Sequence, residues 1–80
     1  MRVSTIDVGT NTVRLLVADV EGPGAWRVVT QHQTVTRLGE GLAASGALGE
    51  APMGRTLAVV VDYVARAVRL RRDVPVAPTR

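Results

Sequence analysis

The residues best equipped for chemistry are Asp7, Gly9, Thr10, Asn11, Thr12 and Arg14, which share one short stretch of the chain. Gly9 has no Cβ, so the backbone there can approach an anion closely and can reach φ > 0. Successive N–H groups from Gly9 to Thr12 can converge into an anion-binding concavity. The hydroxyls of Thr10 and Thr12 add donors. Asp7 can hold a hydrated Mg²⁺ through its water ligands, because that ion dehydrates reluctantly. Arg14, two residues past the turn, can fork its guanidinium onto phosphate oxygens. Together these are the parts of a site for a phosphorylated ligand. An ordinary hairpin uses the same turn residues, and a structural Asp7–Arg14 pair is the alternative role for the two charges. Burial weighs between the two. The flanking strands are strongly apolar, and a charge on a buried strand is costly unless something uses it. A shared anion or metal would satisfy both charges.

Presenting these residues requires a tight turn between two strands. Val3 to Val8 is β-branched at most positions and predicts the first strand. Val13 to Val20 is apolar on both faces, the mark of a central strand in a sheet covered on both sides. Glu21-Gly-Pro-Gly24 is a turn, and Trp26 to about Val35 is a third strand whose Arg27, Gln31 and Gln33 mark an edge. Short connections make the three an antiparallel meander. Thr36 to Leu48 is glycine-rich and predicts a loop. A helix follows, with Met53, Leu57, Val60, Val61, Val64 and Val68 as its apolar stripe. Pro52 suits the first turn, but Gly54 weakens it, so fraying is expected before Met53. Trp26 is expected to pack over the second hairpin and Tyr63 to lie at the core edge. His32 is expected to be solvated. Arg69, Arg71 and Arg72 suit the negative end of the helix dipole. Pro75 and Pro78 fit a central fourth strand poorly.

Composition narrows the class. Eighty residues make at most one domain, with no cysteine for a disulfide or thiolate metal site. Net charge is only +3, the arginines are dispersed, and one Trp and one Tyr offer no stacking platform, which argues against nucleic-acid binding. Apolar runs such as Leu57 to Val61 are far shorter than the roughly 20 residues a membrane span needs. No signal-peptide core opens the chain, so a soluble, cytoplasmic protein without membrane contact is expected.

The segment Ile6-Asp-Val-Gly-Thr-Asn-Thr-Val-Arg-Leu-Leu-Val17 resembles the first phosphate motif of the actin-like ATPase superfamily, and more narrowly that of the exopolyphosphatase/guanosine pentaphosphate phosphatase (Ppx/GppA) family. Thr36-Arg-Leu-Gly-Glu-Gly-Leu42 resembles that family's loop after the third strand, and Ser45-Gly-Ala-Leu48 its lead into the helix. Arg55-Thr-Leu-Ala-Val59 with Asp62-Tyr63 resembles its first helix. The set runs from residue 3 to about residue 65 in family order and spacing. The implied fold is α/β: the β-β-β-α opening of an actin-like (ribonuclease H-like) ATPase domain, a three-stranded antiparallel meander plus one amphipathic helix. Residues 1–70 would be a partial N-terminal domain and residues 71–80 an irregular Pro-containing tail.

The family resemblance also implies an activity. Polyphosphate or a guanosine polyphosphate would bind in a cleft between two such domains, and water would hydrolyse a terminal phosphoanhydride with Mg²⁺ as cofactor. Family members are often homodimeric. Carried onto this chain, Asp7 lies beside the metal, Gly9, Thr10, Asn11 and Thr12 cradle phosphate, and Arg14 contacts it. The family's catalytic glutamate and second Gly-rich loop have no counterpart here, so no catalytic residue is assigned. Glu40 belongs to the loop motif and is expected to be a solvated acid. Gly49 stands where the family often has a capping Ser. The chain therefore resembles an N-terminal fragment of such a phosphatase, inactive alone. The alternatives are a phosphate-binding or regulatory module without catalysis, or a fragment of another actin-like ATPase or kinase.

Overall fold

The structure, a computed structural model, describes residues 1–72. Of the expected tail, residues 71–80, Arg71 and Arg72 instead belong to the last helix, and the rest lies outside the described residues. Three antiparallel strands, β1 (Arg2–Val8), β2 (Thr12–Gly22) and β3 (Ala25–Val35), form one sheet in the order β1-β2-β3. A short helix, α1 (Leu42–Ser45), and a long one, α2 (Glu50–Arg72), follow. The expected meander is present, with β2 in the centre. Both hairpins are short because their tips hold turn residues: Thr10 and Asn11 in the first, Pro23 and Gly24 in the second, where Gly24 takes φ 73. Register is regular along β1–β2, while β2–β3 shifts between Val17 and Ala18 and again between Val20 and Gly22. Each shift is a bulge, which sharpens the local twist.

The core lies between α2 and one face of the sheet. Val13, Leu15 and Val17 alternate along β2 onto that face and are fully buried, beside Tyr63 and Ala67 of α2. Ile6, Val59, Val60 and Leu70 close around them. The Tyr63 hydroxyl shares a 2.7 Å hydrogen bond with the Thr34 Oγ1, so the largest core side chain keeps its polar tip satisfied. Tyr63 is central to the core rather than at its edge.

The helix is turned differently from the expected stripe. Pro52, Thr56, Tyr63 and Ala67 are its buried residues, and only Val60 of the stripe packs against the core. Leu57 and Val61 are 62% and 67% exposed, and Met53, Val64 and Val68 are also exposed. The helix seats Tyr63 and Ala67 on the sheet, with Val59, Val60 and Leu70 beside them. A stripe counted on valine, leucine and methionine missed a face centred on Tyr and Ala. The helix also begins at Glu50 rather than near Met53: the Met53 N–H donates to the Gly49 carbonyl at 3.1 Å, and Thr56 Oγ1 donates to the Pro52 carbonyl at 2.8 Å. Trp26 is exposed, not packed over the hairpin.

Among the described residues nothing covers the opposite sheet face, and the outer edge of β1 is unpaired. Asp7, Thr12, Arg14 and Leu16 alternate onto that uncovered face. Leu16 is half-buried, and Ala18, beside the bulge, is buried.

Candidate functional site

The turn between β1 and β2 is closed by the Gly9 N–H, which donates to the Thr12 carbonyl at 3.0 Å. A Cβ on Gly9 would sit 3.1 Å from that oxygen, so a larger residue would require the Thr12 carbonyl to give by a few tenths of an ångström. Glycine suits this close approach. Its φ lies outside the positive region expected from the sequence, and its N–H is already used. Thr10 and Asn11 form the exposed tip.

The loop after β3 holds this tip from one side. Gly39 N–H donates to the Thr10 carbonyl at 2.8 Å, and the Thr36 and Arg37 N–H groups donate to the Asn11 carbonyl at 2.9 and 3.1 Å. A trans peptide is planar, with its C=O and N–H pointing in opposite directions. Fixing the Thr10 carbonyl on Gly39 therefore directs the Asn11 N–H away from Gly39. Among the described residues, the N–H groups of Thr10 and Asn11 have no hydrogen-bond partner. The tip thus offers two backbone donors, and the loop holds in place the peptide that carries the Asn11 N–H.

The loop is itself held by α2. Arg55 donates Nε–H to the Thr36 carbonyl at 3.0 Å and places its Nη2 3.5 Å from Glu40. Glu40, expected to be solvated, is exposed, and it pairs with Arg55 at the surface. Thr36 is 1% exposed, and its Oγ1 has no partner. Between tip and loop lies a cavity of about 550 Å³ lined by Thr10, Asn11, Arg37, Gly39, Glu40 and α1 residues. Arg37 has φ 52 and is the one non-glycine residue with positive φ among the described residues.

Asp7 and Arg14 face each other directly across the β1–β2 pair, with Arg14 Nη1 3.9 Å from Asp7 Oδ2. Their side chains are 73% and 59% exposed respectively. The expectation that both are costly buried charges is corrected: they point from the uncovered sheet face into solvent. The paired role for the two charges is thus present, but in a weak form, since exposed pairs contribute about 0–1 kcal/mol. A second long bond, Arg14 Nε–H to Gln33 Oε1 at 3.4 Å, leaves most of the guanidinium's donors free. Thr12 shares this face and is half-buried.

The candidate residues therefore form two adjoining groups. Asp7, Thr12 and Arg14 lie on the open face, and Thr10 and Asn11 join Arg37 and Gly39 at the cavity. Among the described residues no three His, Cys, Asp or Glu side chains cluster to hold a metal. Asp7 is a lone carboxylate, a donor set that suits a cation carrying its own waters and phosphate oxygens, not a closed protein cage. Residue-type reasoning passed over Arg37 and Arg55. Their signal was present in the Thr36–Leu42 motif, whose role depends on a fold that brings it back to the first turn. His32 is exposed, as expected, near Tyr63 and 3.1 Å from Thr30 Oγ1.

No family model matches the chain. Exopolyphosphatase 2 of Mycobacterium tuberculosis, in two strains, is 41% identical over 66 residues, which cover 78% of this chain. The chain spans about a fifth of the length of these curated relatives, since the match covers 20% of theirs. Two crystal structures of the Aquifex aeolicus Ppx/GppA phosphatase superpose on it with a TM-score of 0.82 at 28% identity. They match 89% of this chain and 23% of theirs. A β-β-β-α unit shared in sequence with one member and in fold with another places the chain in the Ppx/GppA family.

Proposed function

We propose that this chain forms one wall of a site that binds a phosphoanhydride, polyphosphate or a guanosine polyphosphate, for hydrolysis by the fold to which it belongs. One observation carries this reading: the loop takes up the carbonyls of Thr10 and Asn11 while the N–H groups of both residues remain free. Such donors suit a phosphate oxygen, and the Asn11 N–H is fixed in advance through the Thr10 carbonyl of its own peptide. Thr12 and Arg14 stand beside them on the open face, and Arg14 can exchange its loose contacts for a forked bond to an anion. Asp7 would hold a water-bearing Mg²⁺, which when bound supplies charge neutralisation for the phosphate oxygens. The curated relatives are named exopolyphosphatases, which supports polyphosphate as the ligand.

Hydrolysis by water also needs a base. Glu40 is the carboxylate on the cavity wall, and Arg55 holds it. We therefore infer that these residues bind without turnover. Calorimetry with polyphosphate and Mg²⁺, alongside a phosphate-release assay, tests both halves. The expected outcome is Mg²⁺-dependent binding, weakened by Asp7→Asn and Arg14→Ala, without released phosphate. Absence of binding at millimolar ligand would overturn the site. Release that disappears in Asp7→Ala would overturn the claim of inactivity.

A further inference from the structure

We propose that Arg37 is a specificity-determining residue that grips a polyphosphate chain beyond the phosphoryl group held at the turn. The proposal rests on the phosphate reading above and extends it to a preference for long chains over single phosphates.

Three observations point to Arg37. First, it lines the cavity together with Thr10 and Asn11, the two residues that carry the free N–H donors. A polyanion anchored at those donors must continue past a neighbouring wall, and this cavity adjoins them. Second, its guanidinium is unengaged. Arg2, Arg14, Arg27, Arg55 and Arg66 each meet a carboxylate, whereas the Arg37 side chain, like those of Arg69 and Arg71 far along the last helix, has no hydrogen bond or ion pair among the described residues. Glu40, its nearest acid in sequence, is already taken by Arg55.

Third, the backbone at Arg37 is in a conformation that favours glycine. Its φ of 52 is left-handed, and a non-glycine residue pays for that in strain. The loop has glycine at positions 39 and 41, so a glycine at 37 would relieve the strain without altering the loop's hydrogen bonds. An unpaired arginine at this position, lining the cavity, is placed to bind an anion there. Its N–H bond to Asn11 fixes the base of the side chain relative to the turn, so the guanidinium starts from a set position. Guanidinium suits phosphate because its planar donors match two oxygens at once.

Calorimetry on the full chain with Mg²⁺, using orthophosphate and long-chain polyphosphate as probes, tests this. The readout is the ratio of the two affinities, measured for the native chain, Arg37→Gly and Arg37→Lys. Urea midpoints are recorded in parallel. Arg37→Gly is expected to raise the midpoint, because glycine accepts the left-handed φ, yet to lower the polyphosphate-to-orthophosphate ratio about tenfold, the scale of one lost charge-assisted bond. Arg37→Lys keeps the charge and loses the fork, so it should restore part of the ratio. An unchanged ratio in Arg37→Gly, or a lowered midpoint, would overturn the role of Arg37 alone. A native chain that binds neither probe would instead overturn the phosphate site and this proposal with it.

Discussion

The β1–β2 pair carries an arginine–aspartate couple at each end, and the two could hardly differ more. At one end Arg2 and Asp19 stand opposite each other and form a fork, Nε to Oδ1 at 2.7 Å and Nη2 to Oδ2 at 3.0 Å. Arg2 gives a further bond, from Nη1 to the Leu70 carbonyl at 3.1 Å near the end of α2. Both side chains are about one-fifth exposed. At the other end Asp7 and Arg14 occupy an equivalent register but meet only at 3.9 Å, in solvent. The electrostatics follow the geometry. The hydrogen bond from Arg2 holds the Asp19 carboxyl below its ordinary range, against a smaller opposing effect of desolvation, and Asp19 raises Arg2 in turn. One couple has spent its donors on the fold. The other has kept them, next to the free N–H groups of the first turn. The same two residue types on the same two strands thus serve stability at one end and remain available for binding at the other.

The largest loss of stability is expected in the core: Leu15 is fully buried there, and Leu15→Ala should cost about 2–5 kcal/mol in urea unfolding. Asp19→Ala should come next. It leaves the Arg2 guanidinium with only the Leu70 carbonyl, and should lower the urea midpoint clearly without changing the slope.

The same couple predicts a pH effect. Asp19 has a folded pKa below its unfolded one, so its contribution is complete above the ordinary carboxylate value of about 3.9 and is lost as pH falls through the lower, folded value. Thermal midpoints should drop over that acid range in the native chain, and Asp19→Ala should flatten this limb. Arg2 is raised, so its contribution persists until pH exceeds the ordinary arginine range. The smallest stability effects belong to Asp7→Asn and Arg14→Ala, each within about 1 kcal/mol, because an exposed pair contributes little. If either variant unfolds the chain as readily as Asp19→Ala does, the division between a structural and a binding couple is wrong.

Much of this was legible in the sequence, for reasons visible in particular residues. The β-branched run of β1, the doubly apolar β2 and the Gly-Pro-Gly turn announced the meander through local rules alone. The tight tip at Gly9 was equally plain, although the reason for glycine was closeness to the Thr12 carbonyl and not a left-handed φ. What failed needed tertiary information. The seating of α2 was decided by the fit of Tyr63 and Ala67 against β2, which no count of valines reveals. Asp7 and Arg14 were expected to be buried because their neighbours along the chain are, yet alternate residues of a strand face opposite ways, and one face here is open. The pairing of Glu40 with Arg55 joins a loop to a helix, a contact beyond any local pattern.

The reach of α2 has a consequence for how the molecule opens. Near its start Arg55 is bonded to the loop that fixes the first turn, and near its end the Leu70 carbonyl receives Arg2. In amide hydrogen exchange, the helix and its two attachments should behave as one opening unit. The amides of Thr36 and Arg37, though outside any regular element, are bonded to Asn11. They should share the slow exchange of mid-helix amides, and lose it together with them in Arg55→Ala.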